Sequence, residues 1–137
     1  MASIRKEIRI DNSAATVWDA LRDFGAVHRR VAPGFVVDSR VEGDDRVVTF
    51  VSGAVARERL VSADDQARRL VYTVVEGPLG STHHQSSVEV VETGSGCTFL
   101  WTTDVLPHEL AGALDSLMDQ GAEAIQRALS APKGVRA

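Results

Sequence analysis

The sequence predicts an α+β fold in which a curved antiparallel sheet of about seven strands wraps around one long C-terminal helix. Three observations predict it. Alternating or β-branched runs recur at even spacing from residue 35 to 106, with turn-forming residues between them. Two short helical segments follow only the first strand. A single apolar stripe at helical spacing then occupies residues 108–130.

The first strand is read over 4–10, where Ile4, Ile8 and Ile10 sit among Arg5, Lys6 and Arg9. Asp11-Asn12-Ser13 offers N-cap oxygens. Val17, Trp18, Leu21 and Phe24 then recur at helical spacing, so a helix is expected over about 14–23, stopped by Gly25. A second short helix is expected over 26–31, closed by Pro33-Gly34. Strands follow at 35–41, 46–51, 54–62, 70–75, 82–91 and 97–106. The turns between them lie at 42–45, 63–66, 77–80 and 92–96, the pattern of an antiparallel meander. Pro107 ends the sheet. In the last helix Leu110, Leu114, Leu117, Met118, Gly121, Ala122, Ile125 and Leu129 share one stripe, with Asp115, Asp119, Glu123 and Arg127 off it. Residues 1–130 are expected to form a single domain and 131–137 a flexible C-terminal tail. The element order is β-α-α-β6-α. Only the last helix is long enough to cover the sheet, at ~30 Å for some 20 residues. A curved sheet around one helix leaves a cavity between them, expected to open near the two short helices.

Composition narrows the function classes. The 137 residues fit one core, and 44% hydrophobic with 25% charged residues is ordinary for a globular chain. The net charge of −4, with Arg29-Arg30 and Arg68-Arg69 as isolated pairs, argues against a nucleic-acid partner. The single cysteine, Cys97, rules out an internal disulfide and a Cys-rich zinc site, and reads as a small buried hydrophobe. No apolar run approaches the ~18 residues of a membrane span. The N-terminus carries no signal-peptide apolar block, so the expected location is cytoplasmic.

Period-2 alternation sorts the sheet faces. Cys97, Phe99, Trp101, Thr103 and Val105 are expected to face the helix, and Thr98, Leu100, Thr102 and Asp104 to face away. Val88 and Val90 want the core, so His84 and Ser86 go with them and His83 faces solvent. Leu70, Tyr72, Val74 and Glu76 form the inward set of the preceding strand, and Ala56, Glu58 and Leu60 that of the strand before it. The expected cavity is therefore mostly apolar, with Glu58, Tyr72, His84 and Trp101 as polar handles. The candidate ligand-binding set is Glu58, Tyr72, Val74, His84, Ser86, Phe99 and Trp101 from the sheet, with Leu114, Leu117 and Met118 from the helix. Glu58 and His84 are the candidate acid–base groups, since a carboxylate or imidazole in an apolar cavity has a shifted pKa. Metal binding by His83-His84 is not expected, because strand neighbours point to opposite faces. A Ser86–His84–Asp104 triad is not expected either, because Asp104 falls on the other face. No cofactor is implied.

The order of elements, with Ala15-Thr16-Val17-Trp18-Asp19-Ala20-Leu21-Arg22-Asp23-Phe24, Pro33-Gly34, Arg57-Glu58-Arg59-Leu60, Leu70-Val71-Tyr72, Glu76-Gly77-Pro78-Leu79 and Thr98-Phe99-Leu100-Trp101-Thr102, resembles the START/Bet v 1-like superfamily. This is the SRPBCC or polyketide cyclase/dehydratase-like group, and the resemblance spans about 4–130. It implies a helix-grip fold that binds a small hydrophobic or amphipathic molecule: a lipid, polyketide or aromatic metabolite. The alternative it permits is a polyketide cyclase/dehydratase-like enzyme using Glu58 and His84. One departure stands out. Related sequences often carry a Trp shortly after the Asp-Phe of the first helix; here the stretch is Val27-His28-Arg29-Arg30-Val31-Ala32-Pro33, which predicts a mouth lacking that aromatic lid.

Overall fold

In the computed structural model, which describes residues 1–130, β1 (Ala2–Ile10) leads to α1 (Ala14–Arg22), a 3₁₀ turn (Phe24–Ala26) and α2 (Val27–Arg30). Six strands follow: β2 (Val36–Glu42), β3 (Asp45–Phe50), β4 (Val55–Asp64), β5 (Arg69–Glu76), β6 (His83–Glu92) and β7 (Cys97–Leu106). A 3₁₀ turn (His108–Leu110) then enters α3 (Ala111–Leu129). The expected tail, 131–137, lies outside the described residues. All seven strands form one antiparallel sheet in the order β1-β7-β6-β5-β4-β3-β2. The meander therefore runs strand by strand from β2 to β7, and β1 closes the far side against β7. Among the described residues no helix is long and apolar enough to cross a membrane.

Local chemistry explains the boundaries. Ser13 caps α1, its Oγ accepting from the Thr16 amide at 3.1 Å. Gly43 takes φ +63° in the tight β2–β3 turn, which an L side chain would strain. The turn expected at 63–66 begins later, because β4 runs on to Asp64. There Asp64 Oδ1 accepts from the amides of Gln66 and Ala67 and so starts the reversal itself. The β1 strand also begins two residues earlier than expected, at Ala2, which pairs with Val105.

The apolar stripe of α3 lies on the inner face of the sheet. The main core joins Ile8 and Ile10, α1, α2, the inward rows of β3 to β7, and Ala124, Ile125 and Leu129. A smaller cluster holds Ala2, Ile4, Val105, Leu114 and Met118, and the Trp101 ring packs against both. One charge interrupts the inward row of β1. Lys6 lays its stem against this face and sends Nζ out to Asp115 and Asp119 of α3, each at 2.7 Å. Those two carboxylates raise its pKa. On the outer face Asp45 sits under two arginines, Arg59 Nε at 2.8 Å and Arg57 Nη1 at 3.0 Å. Their hydrogen bonds, Arg59 first, hold its carboxyl down at about 2. Asp45 has little exposed area, yet it lies shallow, covered by side chains that are themselves at the surface.

Candidate functional site

A cavity of about 170 Å³ lies between the inner face of the sheet and α3. Glu58 of β4, Tyr72 and Val74 of β5, His84 of β6, and Phe99 and Trp101 of β7 reach it from the sheet. Leu114, Leu117 and Met118 reach it from α3. Period-2 alternation puts the sheet residues on one face, and helical spacing puts the other three on one stripe. Two expectations need correction: Ser86 faces inward as expected but is not in the cavity wall, and Glu76 does not face inward. Ser86 is buried but does not line the cavity, because its hydroxyl is bonded to Thr103 Oγ1 at 2.7 Å on the neighbouring strand. Glu76 is exposed, because it sits at the end of β5, beyond the last β5–β6 pair, Thr73 with Gln85. His83 and His84 part as alternation requires, and only His84 lines the cavity.

The residue that sequence reasoning missed is Arg46. It is only 6% exposed, and its Nε donates to Glu58 Oε1 at 2.8 Å, with Glu58 itself 8% exposed. Its Nη1 donates to the Phe24 carbonyl at 3.0 Å. The guanidinium carbon stands 3.9 Å from the centre of the Phe24 ring and 5.0 Å from that of Tyr72. Alternation in β3 carried the signal: Arg46, Val48 and Phe50 share one face, and all three line the cavity.

The mouth is also aromatic. Phe35, just after α2, and Phe50, at the end of β3, pack with ring centres 5.3 Å apart and give the mouth an aromatic edge. The exposed lining residues lie on the β3–β4 turn (Val51 and Ser52), on Gln120 of α3, and on the β5–β6 link (Gly77 and Pro78). The Val51 amide donates to the Phe35 carbonyl at 2.9 Å, which ties that turn to the segment just after α2.

Three polar groups inside the cavity have distinct states. Burial, then the negative charge of Glu58, pushes the Tyr72 hydroxyl up to about 12, so it stays protonated. Ser86 and Trp101 lie close enough to the Tyr72 oxygen to hold that rise back as donors, yet neither makes a bond of good geometry with it. The geometry decides the matter for Trp101: its Nε1 is buried with no hydrogen-bond partner among the described residues. Burial, then the neighbouring His83, pushes His84 down to about 4. Its imidazole is therefore neutral at neutral pH.

The His84 shift has a measurable consequence. Between pH 6.5 and about 4 the unfolded chain takes up a proton that folded His84 refuses. Stability contributed by neutral His84 is therefore full above pH 6.5 and falls as pH drops through that window. The loss is at most about 3 kcal/mol, since the ring keeps some solvent contact. Urea unfolding from pH 4 to 7 should show a shallower fall for His84→Leu than for the wild type. Parallel profiles would contradict the burial of this imidazole.

The fold has counterparts among known proteins. A family model described as "Polyketide cyclase / dehydrase and lipid transport" matches residues 1–131. No curated protein matches the chain. A solved protein from Thermobifida fusca is 32% identical with a TM-score of 0.75, the match covering 93% of this chain and 89% of that one. The XoxI protein of Bacillus cereus is 22% identical with a TM-score of 0.81, over 94% of this chain and 96% of that one. A point mutant of norcoclaurine synthase from Thalictrum flavum, solved with a transition-state analogue, is 23% identical with a TM-score of 0.69, over 92% of each chain. The last two show a shared fold.

Proposed function

The chain belongs to the polyketide cyclase / dehydrase and lipid transport family, and we propose that it binds a small apolar or amphipathic molecule between its sheet and α3. The candidates by class are a lipid, a polyketide or an aromatic metabolite. One observation carries the reading: an unfilled cavity of about 170 Å³ whose wall is mostly apolar and whose polar groups are few and convergent. Apolar burial supplies the affinity, about 2.5 kcal/mol per 100 Å² of ligand surface removed from water. Tyr72 and His84 orient the ligand.

Native mass spectrometry of freshly purified protein tests this. A small molecule that leaves on denaturation is the expected result. Protein that is always empty, and that takes up no apolar probe, overturns the reading.

Gly121 offers a second check. A Cβ there would stand 3.1 Å from the Trp101 ring and 3.2 Å from that of Phe35. Both rings border empty space, so they yield into the cavity. Gly121→Ala should lower the affinity for an apolar probe such as ethylbenzene several-fold. Its effect on stability should stay within about 1 kcal/mol, because alanine favours the helix by a similar amount. Calorimetric titration with urea unfolding measures both, and unchanged affinity would place the ligand away from Trp101.

Acid–base catalysis has weaker support from the geometry. Glu58 accepts the Arg46 bond, and an imidazole held at about 4 is a poor base at neutral pH. A Glu58→Gln variant that keeps binding and loses a turnover seen in the wild type would reverse this order.

A further inference from the structure

We infer that the cavity selects an uncharged single-ring aromatic molecule bearing an acceptor oxygen, with the Tyr72 hydroxyl donating to that oxygen. This deepens the binding reading above and rests on it.

Size sets the first limit. An apolar cavity of ~150 Å³ holds one benzene, and this one measures about 170 Å³. Its interior suits a ring with a short substituent better than fused rings.

Charge sets the second. The charged side chains in the lining are Arg46 and Glu58, and each already neutralises the other at 2.8 Å. His84, the remaining titratable base in the wall, is neutral at neutral pH. A carboxylate entering this site finds no unpaired cation, and burying it alone is strongly unfavourable. An ammonium finds no unpaired anion.

Hydrogen bonding sets the third. The Tyr72 hydroxyl lies in the cavity wall near Ser86 and the unpartnered Trp101 N–H, and makes a hydrogen bond of good geometry with neither. Among the described residues the side-chain pairs formed around it, Ser86 with Thr103 and Glu58 with Arg46, do not include its O–H. A hydroxyl in a cavity wall whose O–H is in no bond to a protein side chain is a donor available to a ligand acceptor. A ketone, aldehyde or ether oxygen supplies one and carries no charge.

Calorimetric titrations at pH 7 with ethylbenzene, acetophenone, benzoate and 2-acetonaphthone separate the possibilities. Acetophenone should bind about tenfold more tightly than ethylbenzene, the gain of one hydrogen bond to a buried donor. Benzoate should be about a hundredfold weaker than acetophenone, or undetectable. The two-ring ketone should also bind more weakly than acetophenone. In Tyr72→Phe, which keeps the ring, acetophenone should fall to the ethylbenzene level. The inference fails if ethylbenzene matches acetophenone, if benzoate or 2-acetonaphthone binds best, or if the preference survives Tyr72→Phe. Binding of ethylbenzene in those cases leaves the broader reading standing, whereas silence from all four probes removes this inference and leaves the broader reading to native mass spectrometry. If Tyr72→Phe does not fold, the wild-type order of affinities decides alone.

Discussion

Glu58→Ala is expected to destabilise the protein by about 3–5 kcal/mol, the range for breaking a buried ion pair from one side. The loss comes from what remains. Arg46 keeps its bond to the Phe24 carbonyl and its place over two aromatic rings, so it cannot swing out to water without losing them. Its positive charge is then buried without a counter-charge, in a wall of Val48, Tyr72 and Phe50. The pair itself is another matter. Two charges withdrawn from water lose about as much hydration as their attraction returns, so an apolar pair of similar volume is often as stable. The double variant Arg46→Met/Glu58→Leu should therefore recover most of the single loss. Urea unfolding of the two single variants and the double variant measures the coupling. A loss below about 1 kcal/mol for Glu58→Ala would mean that the guanidinium reaches solvent.

Phe99→Ala should lose about 3–5 kcal/mol as well, by a different route. Phe99 is 1% exposed and is at once part of the main core and part of the cavity wall. Removing its ring deletes apolar contacts and joins the new void to the existing one. The neighbours are held by a seven-stranded sheet and a helix, so the site collapses little, and the loss should fall high in the range. The enlarged cavity should then admit larger probes. A saturating apolar ligand should restore part of the stability, by about 2.7 kcal/mol at a hundred times its Kd. Thermal and urea unfolding with and without 2-acetonaphthone check both halves. A loss under about 1.5 kcal/mol, or no rescue, would place Phe99 outside the cavity wall.

Much of this site is legible in a single strand or helix. Val88 and Val90 choose the face of β6, and His84 must follow them while His83 cannot, because successive side chains of a strand point oppositely. The same logic brings Glu58, Tyr72, Phe99 and Trp101 to one side, and helical spacing brings Leu114, Leu117 and Met118 to meet them. These are local facts of backbone geometry, and the order of the elements follows from turn chemistry between the runs.

Tertiary structure alone decided what each polar group does there. Arg46 meets Glu58 because the β3–β4 register sets those two residues opposite one another. Ser86 meets Thr103 for the same reason in the β6–β7 register, which closes its hydroxyl to the cavity. The Tyr72 O–H is in neither the Ser86–Thr103 pair nor the Glu58–Arg46 pair. Phe35 and Phe50, from opposite ends of the β2–β3 hairpin region, form a mouth that neither segment announces by itself. Alternation tells which way a side chain points. Its partner, its depth and its charge state depend on register and on the helix laid over it, and those arise only when separate elements pack.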